Sequence, residues 1–270
     1  MKKIIFEASN LKKEIEGHVI LQNVSFKLEE NISIAIRGQN GSGKSTLLKL
    51  LAGIYEPTGG TLVRNVTRIG YVPEHFPENL RFKLKEYLIL IASFHGISQT
   101  EFEKELLKYM DLFEIEPFMD TPLKKCSKGT KQKVGILQAL LTKPDILLLD
   151  EPLTGLDATS QQNLITLLEK LKKQMTIIFT THEDLLVDTL ANQTLYVQDG
   201  NILVHKQTAN VKRKIKVKFP NKAIFNELDL IDINFEGDSA LLTVGVEESD
   251  FILMELLNKN CSVLEVKERM

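Results

Sequence analysis

One stretch of the chain has the residue types and spacing of a phosphate-binding loop. In the pattern Gly-x4-Gly-Lys-Ser, the glycines let successive backbone N–H groups face phosphate oxygens, and the helix that follows adds the partial positive charge of its N-terminus. We expect Lys44 to reach the β- and γ-phosphates of a nucleotide and the Ser45 hydroxyl to bind Mg²⁺. The loop comprises Gly38, Gln39, Asn40, Gly41, Ser42, Gly43, Lys44, Ser45 and Thr46.

Two carboxylates form a second group of candidates, because Asp150 and Glu151 directly follow the apolar run 146–149. A carboxylate at the end of a buried strand is costly unless it is paired or serves a metal. We expect Asp150 to hold Mg²⁺ through its water shell and Glu151 to orient or deprotonate an attacking water. The alternative, a helix-capping pair before Pro152, accounts for only one of the two. Together the loop and the carboxylates predict nucleotide hydrolysis.

The flanking elements favour this interpretation over a glycine-rich turn without a ligand. The apolar run 32–36 before the loop predicts a buried strand, and the leucine pattern after the loop predicts an amphipathic helix. From residue 128 onward, helices at 129–141 and 160–173 alternate with apolar strands at 145–149 and 175–179. This alternation predicts a mainly parallel sheet covered on both faces.

The parts outside this core have different patterns. Residues 2–8 and 19–28 alternate like strands, with 10–17 as a polar connection and a turn at Pro57 and Gly59-Gly60. Helical spacing at 84–94 and 99–113 predicts an inserted helical subdomain at about 80–127. The last 60 residues read β-α-β-β-α-β, the split ferredoxin-like order. We therefore predict an α/β domain at 1–205 and a small α+β domain at 206–270, with the boundary near 206–211.

The C-terminal domain begins with lysines that alternate with Ile215, Val217 and Phe219. Such a segment could bind phosphate or a lipid surface, but lysines are also how an edge strand avoids aggregation, and we favour the edge strand. The predicted helices of this domain lie at 221–228 and 249–258, and its later strands lie at 231–235, 240–246 and 262–267.

Composition excludes several classes of protein. The chain has 270 residues, 43% of them hydrophobic, and a formal net charge of −2, so nothing in its bulk charge favours nucleic acid as a partner. Two cysteines are too few for a disulfide framework, which favours a reducing compartment. No apolar run approaches the roughly 18 residues of a membrane span. If the protein works at a membrane, another polypeptide must cross it.

Further motifs follow the loop in a recognisable order. They are Val72-Pro73-Glu74, Cys126-Ser127-Lys128-Gly129-Thr130, Thr154-Gly155-Leu156-Asp157 and Thr180-Thr181-His182. With the loop and the Asp150-Glu151 pair, their order and spacing over residues 3–205 resemble the ATP-binding subunit of ABC transporters. The segments occupy the places of that family's Q-loop, signature, D-loop and switch histidine.

The resemblance implies a P-loop ATPase fold of ABC type that uses ATP and Mg²⁺ and works as a dimer or with a paralogue. Two subunits would pair head to tail, so that Ser127, Lys128 and Gly129 of one face the γ-phosphate bound by the other, with Asp157 in the D-loop. His182 would contact the γ-phosphate and position the attacking water. A separate membrane-spanning subunit would hold the ATPase at the cytoplasmic face of the membrane, and its short cytoplasmic helix would enter a groove of exposed apolar residues at Phe76, Pro77 and 80–91.

The chain departs from the family pattern at three places. Glu74 replaces the usual glutamine, where it could bind Mg²⁺ or mainly relay motion to the partner. Lys128 replaces the first glycine of the signature; this change and Glu74 are familiar in the branch that exports drugs, antibiotic peptides or polymers. Ile15 stands where the family stacks an aromatic ring on adenine, so we expect weaker or less base-selective ATP binding.

Two other functions compete with a transport ATPase. One is an ABC-type ATPase that acts without a membrane partner; its ribosome-associated members carry two nucleotide sites, and its DNA-repair members carry long coiled coils. The sequence shows one nucleotide site and no sustained heptads. The other is a regulatory subunit that does not hydrolyse ATP, and the presence of Lys44, Asp150, Glu151 and His182 argues against it.

Overall fold

The fold is described from a computed structural model that covers residues 3–206, 212–228, 230 and 232–269. The chain divides into two compact units, residues 1–206 and 207–270, which are described separately. Most of the boundary predicted at 206–211 lies outside the described residues.

The centre of the first unit is a six-stranded sheet. Its strands are β3 (Ser33–Arg37), β5 (Ile69–Val72), β6 (Ile146–Leu149), β7 (Thr176–Thr180), β8 (Gln193–Gln198) and β9 (Asn201–Lys206). They lie in the order β5-β6-β7-β3-β8-β9; neighbours from β5 to β8 are parallel, and β9 runs antiparallel to β8. Every residue of β6 and β7 is buried, which confirms the sheet predicted from the continuous apolar runs.

Side chains of successive strand residues enter two different hydrophobic clusters, one on each face of this sheet. Ile146 and Leu148 belong to one cluster, and Leu147 and Leu149 belong to the other. The helices that cover the sheet and form the inserted lobe are α1 (Lys44–Leu51), α2 (Leu84–Phe94), α3 (Gln99–Phe113), α4 (Lys128–Leu141), α5 (Ala158–Leu171) and α6 (Asp184–Leu190). Parallel strands end at one edge of the sheet, so the segments that follow β3, β6 and β7 come together there.

The N-terminal sheet is antiparallel, as predicted, but two of its details differ from the sequence prediction. It consists of β1 (Ile4–Ile15), β2 (His18–Glu29) and β4 (Gly59–Arg64), in the order β2-β1-β4. The prediction of a polar connection at 10–17 was wrong, because β1 continues to Ile15 with bulges in its pairing. Leu11 in this stretch is buried. The prediction of a turn at Gly59-Gly60 was also wrong, because these two residues begin β4. A Cβ on Gly60 would lie 2.2 Å from Asn10 O, so this approach of two strands requires glycine.

The second unit is a four-stranded antiparallel sheet with one helix. Its elements are β10 (Lys212–Lys218), β11 (Asp232–Glu236), β12 (Ser239–Gly245), α7 (Val246–Asn258) and β13 (Ser262–Arg269). The strands lie in the order β11-β12-β10-β13. This is the strand order of the split β-α-β-β-α-β motif, although a 3₁₀ segment at Lys222–Glu227 replaces the first helix.

The edge-strand interpretation of the lysine-rich segment was wrong, because β10 lies between β12 and β13. Two of its lysines pair with acids at the hairpin between β11 and β12. Lys216 Nζ lies 2.7 Å from Glu236, and Lys218 Nζ lies 2.9 Å from Asp238. The alternation therefore belongs to an interior strand with one apolar face. No helix among the described residues is long and apolar enough to cross a bilayer.

Candidate active site

The loop after β3 has the backbone geometry of a phosphate cradle. Gly38, Gly41 and Gly43 have φ values of +148°, +79° and +105°, a region that side chains disfavour. At Gly38 a Cβ would also lie 2.3 Å from Val197 O on the neighbouring strand. Gly43 precedes α1 and provides no side-chain cap, so the N–H groups of the first turn keep their capacity to bind an anion.

The side chain of Lys44 is held in place by backbone carbonyl groups of the phosphate loop. Its Nζ donates to Gly38 O at 2.9 Å and to Gln39 O at 3.0 Å, and only 8% of the residue is exposed. These two bonds hold a buried positive charge beside the backbone N–H groups of the loop. The pair of features suits a polyphosphate and fits the role predicted for Lys44.

Asp150 lies at the centre of a hydrogen-bond network that joins three elements. Its Oδ1 accepts from Ser45 Oγ at 3.1 Å and from Thr180 Oγ1 at 2.7 Å, and the residue is 3% exposed. The oxygen of Thr180 in turn accepts from the backbone N–H of Glu151 at 2.8 Å. A hydroxyl and a carboxylate are ligands that Mg²⁺ prefers, together with substrate phosphates, so the donor set fits this ion. The sequence reasoning missed the bond from Thr180, which depends on β7 lying beside β6.

Glu151 and His182 come together although 31 positions separate them. Glu151 Oε1 lies 3.4 Å from His182 Nε2, without the geometry of a hydrogen bond, and it is buried with no hydrogen-bond donor among the described residues. The backbone of Glu151 has a φ of +47°, an uncommon conformation for a non-glycine residue that is often found at functional sites.

The environment of Glu151 favours a proton-accepting role. Burial raises the pKa of its carboxyl above the ordinary value; the positive charges of His182 and Lys44 oppose this shift, and the carboxylates Asp150 and Glu74 add to it. A carboxylate with a raised pKa and a free lone pair can accept a proton from water. Glu151 is therefore a candidate general base beside the phosphate loop.

The signature segment caps a helix. Ser127 precedes α4, and its Oγ accepts from Thr130 N at 3.0 Å. A Cβ on Gly129 would lie 2.6 Å from Gly155 O, so the signature and the D-loop touch through their backbones. The side chain of Lys128 also approaches Gly155, where a Cβ would lie 3.0 Å from its Cγ and 3.1 Å from its Cδ.

Asp157 of the D-loop caps the N-terminus of α5, as Ser127 caps that of α4. Its two carboxylate oxygens accept from the N–H and the hydroxyl of Ser160, both at 2.9 Å, and the backbone bond contributes most to lowering its pKa. The side chain therefore caps its own helix in this chain.

Comparisons with known proteins agree with this geometry. A family model described as ABC transporter matches residues 21–154. The zinc import ATP-binding protein ZnuC of Rickettsia bellii is 34% identical over 206 residues, which cover 75% of this chain and 86% of that protein. The chain belongs to the ABC transporter ATP-binding family. It is therefore an ABC ATPase, as the motifs predicted.

Two other relatives of this ABC ATPase differ in coverage. The ABC transporter ATP-binding protein MJ1023 of Methanocaldococcus jannaschii is 30% identical, and the match covers 93% of this chain and 94% of that protein. The lantibiotic transport ATP-binding protein SrtF of Streptococcus pyogenes is 29% identical, with 83% and 99% covered.

Solved structures confirm the ABC ATPase fold. One, described as the ATP binding subunit of an ABC transporter, is 27% identical with a TM-score of 0.70 and covers 75% of this chain and 90% of that chain. A bacterial ABC transporter cassette, MJ0796, described as dimeric, is 25% identical with a TM-score of 0.68, covering 75% and 98%.

Of the surface expected for a partner's helix, Pro77, Phe82 and Ile89 are exposed as predicted, but Phe76 is not. Glu74 Oε1 lies 3.8 Å from His75 Nε2. Phe76 was expected to be exposed, but it is 8% exposed and packs edge-on against Tyr87 with 5.5 Å between ring centroids. Phe76 thus anchors the Q-loop of the ABC ATPase to α2 through Tyr87, and its ring also lies over Gly135 of α4.

A cavity of about 480 Å³ adjoins the first half of the phosphate loop. Val19 and Ile20 of β2 line one side of it, and the end of β8 and the turn that follows line another with Gln198 and Asp199. Ile15, predicted to pack against adenine, is half-buried at the end of β1 and is not among the lining residues. No local pattern in the sequence indicated the β8–β9 turn, which reaches this cavity because β8 pairs with β3.

Proposed function

We propose that this ABC ATPase binds ATP with Mg²⁺, forms a head-to-tail dimer with a second subunit, and powers export through a separate membrane-spanning protein. The observation that carries the hydrolytic part is the network from Ser45 through Asp150 and Thr180 to Glu151, with His182 beside the free oxygen of Glu151. The groups that bind the phosphates and Mg²⁺ and the candidate base lie within one chain, and the second subunit supplies its signature segment.

Each group has a distinct role in this proposal. The N–H groups of residues 38–46 and the ammonium of Lys44 bind the phosphates, and Ser45 and Asp150 hold Mg²⁺, with Glu74 as a further candidate ligand. Bound Mg²⁺ would neutralise charge on the phosphate oxygens. Glu151 accepts the proton of the attacking water, and His182 positions that water and contacts the γ-phosphate.

The dimer follows from the form of the signature segment. The N-terminus of α4 begins at Ser127, with Lys128 and Gly129 in its first turn and Asp157 beside it in the D-loop. A helix N-terminus and a hydroxyl suit a γ-phosphate, at about 1 kcal/mol for the helix end alone. The dimeric cassette MJ0796 has the same fold. We infer that the phosphate comes from the second copy.

Export is supported by the signature and by one of the relatives. The Ser127-Lys128-Gly129 sequence and Glu74 match the exporter branch in the family resemblance, and SrtF is named for lantibiotic transport. ZnuC is named for zinc import, so the relatives include both directions. The proposal places the protein at the cytoplasmic face of the membrane, held there by its membrane partner.

The hydrolytic part is tested with Glu151→Gln, which removes the proton acceptor and keeps the size of the side chain. We expect ATPase activity to fall by at least about 10²-fold while ATP binding is retained. Glu169→Gln, at an exposed position of α5, is the matched control and should keep full activity. If Glu151→Gln hydrolyses ATP like the control, Glu151 is not the base and the proposed chemistry is wrong.

The transport part is tested by purification from a detergent extract of the native cells. We expect a membrane-spanning protein to co-purify with the chain, and inside-out vesicles with that protein to accumulate an exported substrate when ATP is added. Recovery of the ATPase without a membrane protein would favour an ABC ATPase that acts alone, and accumulation in right-side-out vesicles would indicate import.

A further inference from the structure

The backbone of Glu151 has a conformation that its local sequence does not favour. Its φ is +47°, whereas a residue that precedes a proline, here Pro152, ordinarily has an extended backbone with a negative φ. A residue in such a sparsely populated region stays there only when the surrounding structure holds it. The contacts that fix this backbone therefore also decide where the carboxyl of Glu151 lies.

Hydrogen bonds from two other elements hold the chain on both sides of this position. Thr180 Oγ1 on β7 accepts from the backbone N–H of Glu151 at 2.8 Å. On the other side, Gln132 Nε2 on α4 donates to the carbonyl oxygen of Pro152 at 3.3 Å. Because the proline ring fixes its own φ, this second bond helps to set the direction in which the chain leaves Pro152. Gln132 is 2% exposed, so water does not compete for the bond.

Gln132 belongs to the helix that begins with the signature. It lies one turn after Gly129, where a Cβ would meet Gly155 O at 2.6 Å. Residues three positions apart share one face of a helix, so the turn from Pro152 to Gly155 lies along one face of α4. The segment that carries Glu151 therefore rests on α4 at two points, and Gln132 provides the point nearer to Glu151 along the chain.

We propose that Gln132 is a positioning residue for Glu151 and links the signature helix to the proposed base. Its amide holds the turn after Glu151 against α4, so the place of the carboxyl beside His182 depends on the place of this helix. The inference rests on the proposed function, in which Glu151 accepts the proton of the attacking water. It gives α4 two tasks: its first turn meets the γ-phosphate bound by a second copy, and its second turn supports the base of its own copy.

A double-substitution cycle in the full chain tests this role. Gln132→Met removes the donor and keeps a long unbranched side chain that suits a helix. We expect kcat for ATP hydrolysis to fall at least about tenfold, while ATP affinity stays within about twofold of wild type. In a Glu151→Gln background the same substitution should change the residual rate by less than about twofold, because the position of a side chain that cannot accept the proton no longer affects the rate. Single-turnover hydrolysis of radiolabelled ATP measures these slow rates.

Gln138→Met is the matched control, six residues further along the same helix. The side-chain oxygen of Gln138 accepts from the hydroxyl of Tyr87 on α2, so this variant also removes one side-chain hydrogen bond of α4. It should lower the midpoint of urea denaturation about as much as Gln132→Met does, yet keep kcat within about twofold. An equal loss of kcat in both variants would overturn the proposal, because any weakening of α4 would then slow hydrolysis. Gln132→Asn, whose amide is one methylene shorter, should behave like Gln132→Met and replaces it if that variant does not fold.

Mixed dimers separate this role from an effect on the signature. A chain with Lys44→Ala supplies only an intact signature, and a chain with Ser127→Asp supplies only an intact phosphate half. Gln132→Met should lower the activity of the mixture at least about tenfold more when the Ser127→Asp chain carries it, since the working Glu151 belongs to that chain, than when the Lys44→Ala chain carries it. Equal losses in the two arrangements would mean that Gln132 acts through the signature, and the proposal would be wrong.

The possible failures are distinguishable. If Glu151→Gln hydrolyses ATP like wild type, the proposed chemistry is wrong and the role of Gln132 fails with it. If Glu151→Gln is inactive, but Gln132→Met keeps its kcat or slows the Glu151→Gln chain as much as wild type, the inference is wrong while the proposed function stands. If the mixture is inactive without any change at Gln132, the proposed dimer fails, and the double-substitution cycle alone decides the role of Gln132.

Discussion

The two parts of the nucleotide site differ in where their side chains find partners. In the phosphate half, formed by the loop with Asp150, Glu151, Thr180 and His182, the hydrogen bonds to Asp150 span 105 and 30 positions of the chain. In the signature half, formed by 127–129 and 154–157, the side-chain bonds of Ser127 and Asp157 each span three positions. One half is assembled by the sheet, and the other is held by its own helix ends.

From this difference we infer that two copies of the chain contribute different groups to one site. The phosphate half brings its reacting groups together within one chain, so it can bind and orient a nucleotide by itself. The signature half is stiffened by the contact between Gly129 and Gly155, and the side chains of Ser127 and Asp157 bond within their own helix ends. We infer that it completes a site on a second copy, and the following predictions test that division.

The largest effect is expected in the phosphate half. Lys44→Ala removes the buried charge beside the loop, and we expect ATP binding to weaken by at least about tenfold and ATPase activity by about 10²-fold or more. Lys49→Ala, at the last turn of the same helix, should change neither value beyond about twofold. Isothermal titration and a phosphate-release assay measure both, and normal ATP affinity for Lys44→Ala would contradict the assignment of the loop.

The signature half should respond to a single methyl group. Gly129→Ala places a Cβ 2.6 Å from Gly155 O, so the two backbones must separate, at a cost of about 1–3 kcal/mol. We expect lower stability and lost ATPase activity, with ATP still bound by the monomer. Gly135→Ala in the same helix meets nothing closer than 3.4 Å and should be neutral or slightly stabilising. Equal chemical denaturation curves for the two variants would refute the proposed contact.

The sequence predicted the phosphate half better than its surroundings. The buried strand 146–149 and its two carboxylates were predictable because a continuous apolar run and a motif are local signals. The continuation of β1 through Leu11 and the interior position of β10 depend on neighbours far along the chain, which no local pattern reports. The cavity wall at Asp199 was missed for the same reason.

A moderate effect is expected where α3 packs against α4, the helix that begins with the signature. Burial would raise the pKa of Glu105, but hydrogen bonds and charges from Lys108 and Lys143 outweigh it, and the pKa lies below its ordinary value. The folded protein therefore releases this proton more readily than the unfolded chain. The contact stabilises the fold above the unfolded pKa, and this contribution is lost as the pH falls through the folded pKa.

Denaturant unfolding at several pH values checks this contribution. Glu105→Gln should reduce the free energy of unfolding by about 1 kcal/mol at pH 7, and the difference from wild type should shrink below about pH 4. Glu103→Gln, at an exposed position of the same helix, should show a smaller loss. A loss for Glu105→Gln that stays constant down to about pH 2 would argue against the ion pairs.

The smallest effect concerns the nucleoside. Ile15→Tyr supplies the aromatic ring that the family uses, worth about 0.5–1.5 kcal/mol, so ATP affinity should rise by roughly two- to tenfold. Val63→Tyr, at an exposed apolar position of the same sheet, serves as the control. No gain from Ile15→Tyr would mean that the base does not lie at the end of β1, and would direct attention to the cavity at Val19 and Ile20.

Complementation between two defective chains tests the division of the site most directly. Lys44→Ala disables only the phosphate half. Ser127→Asp keeps a good helix cap but sets a carboxylate against the γ-phosphate, so it disables only the signature half. Each variant alone should be inactive, whereas an equal mixture should regain roughly a quarter of the wild-type ATPase activity through mixed dimers with one intact composite site. A mixture as inactive as its two components would contradict a site shared between two copies.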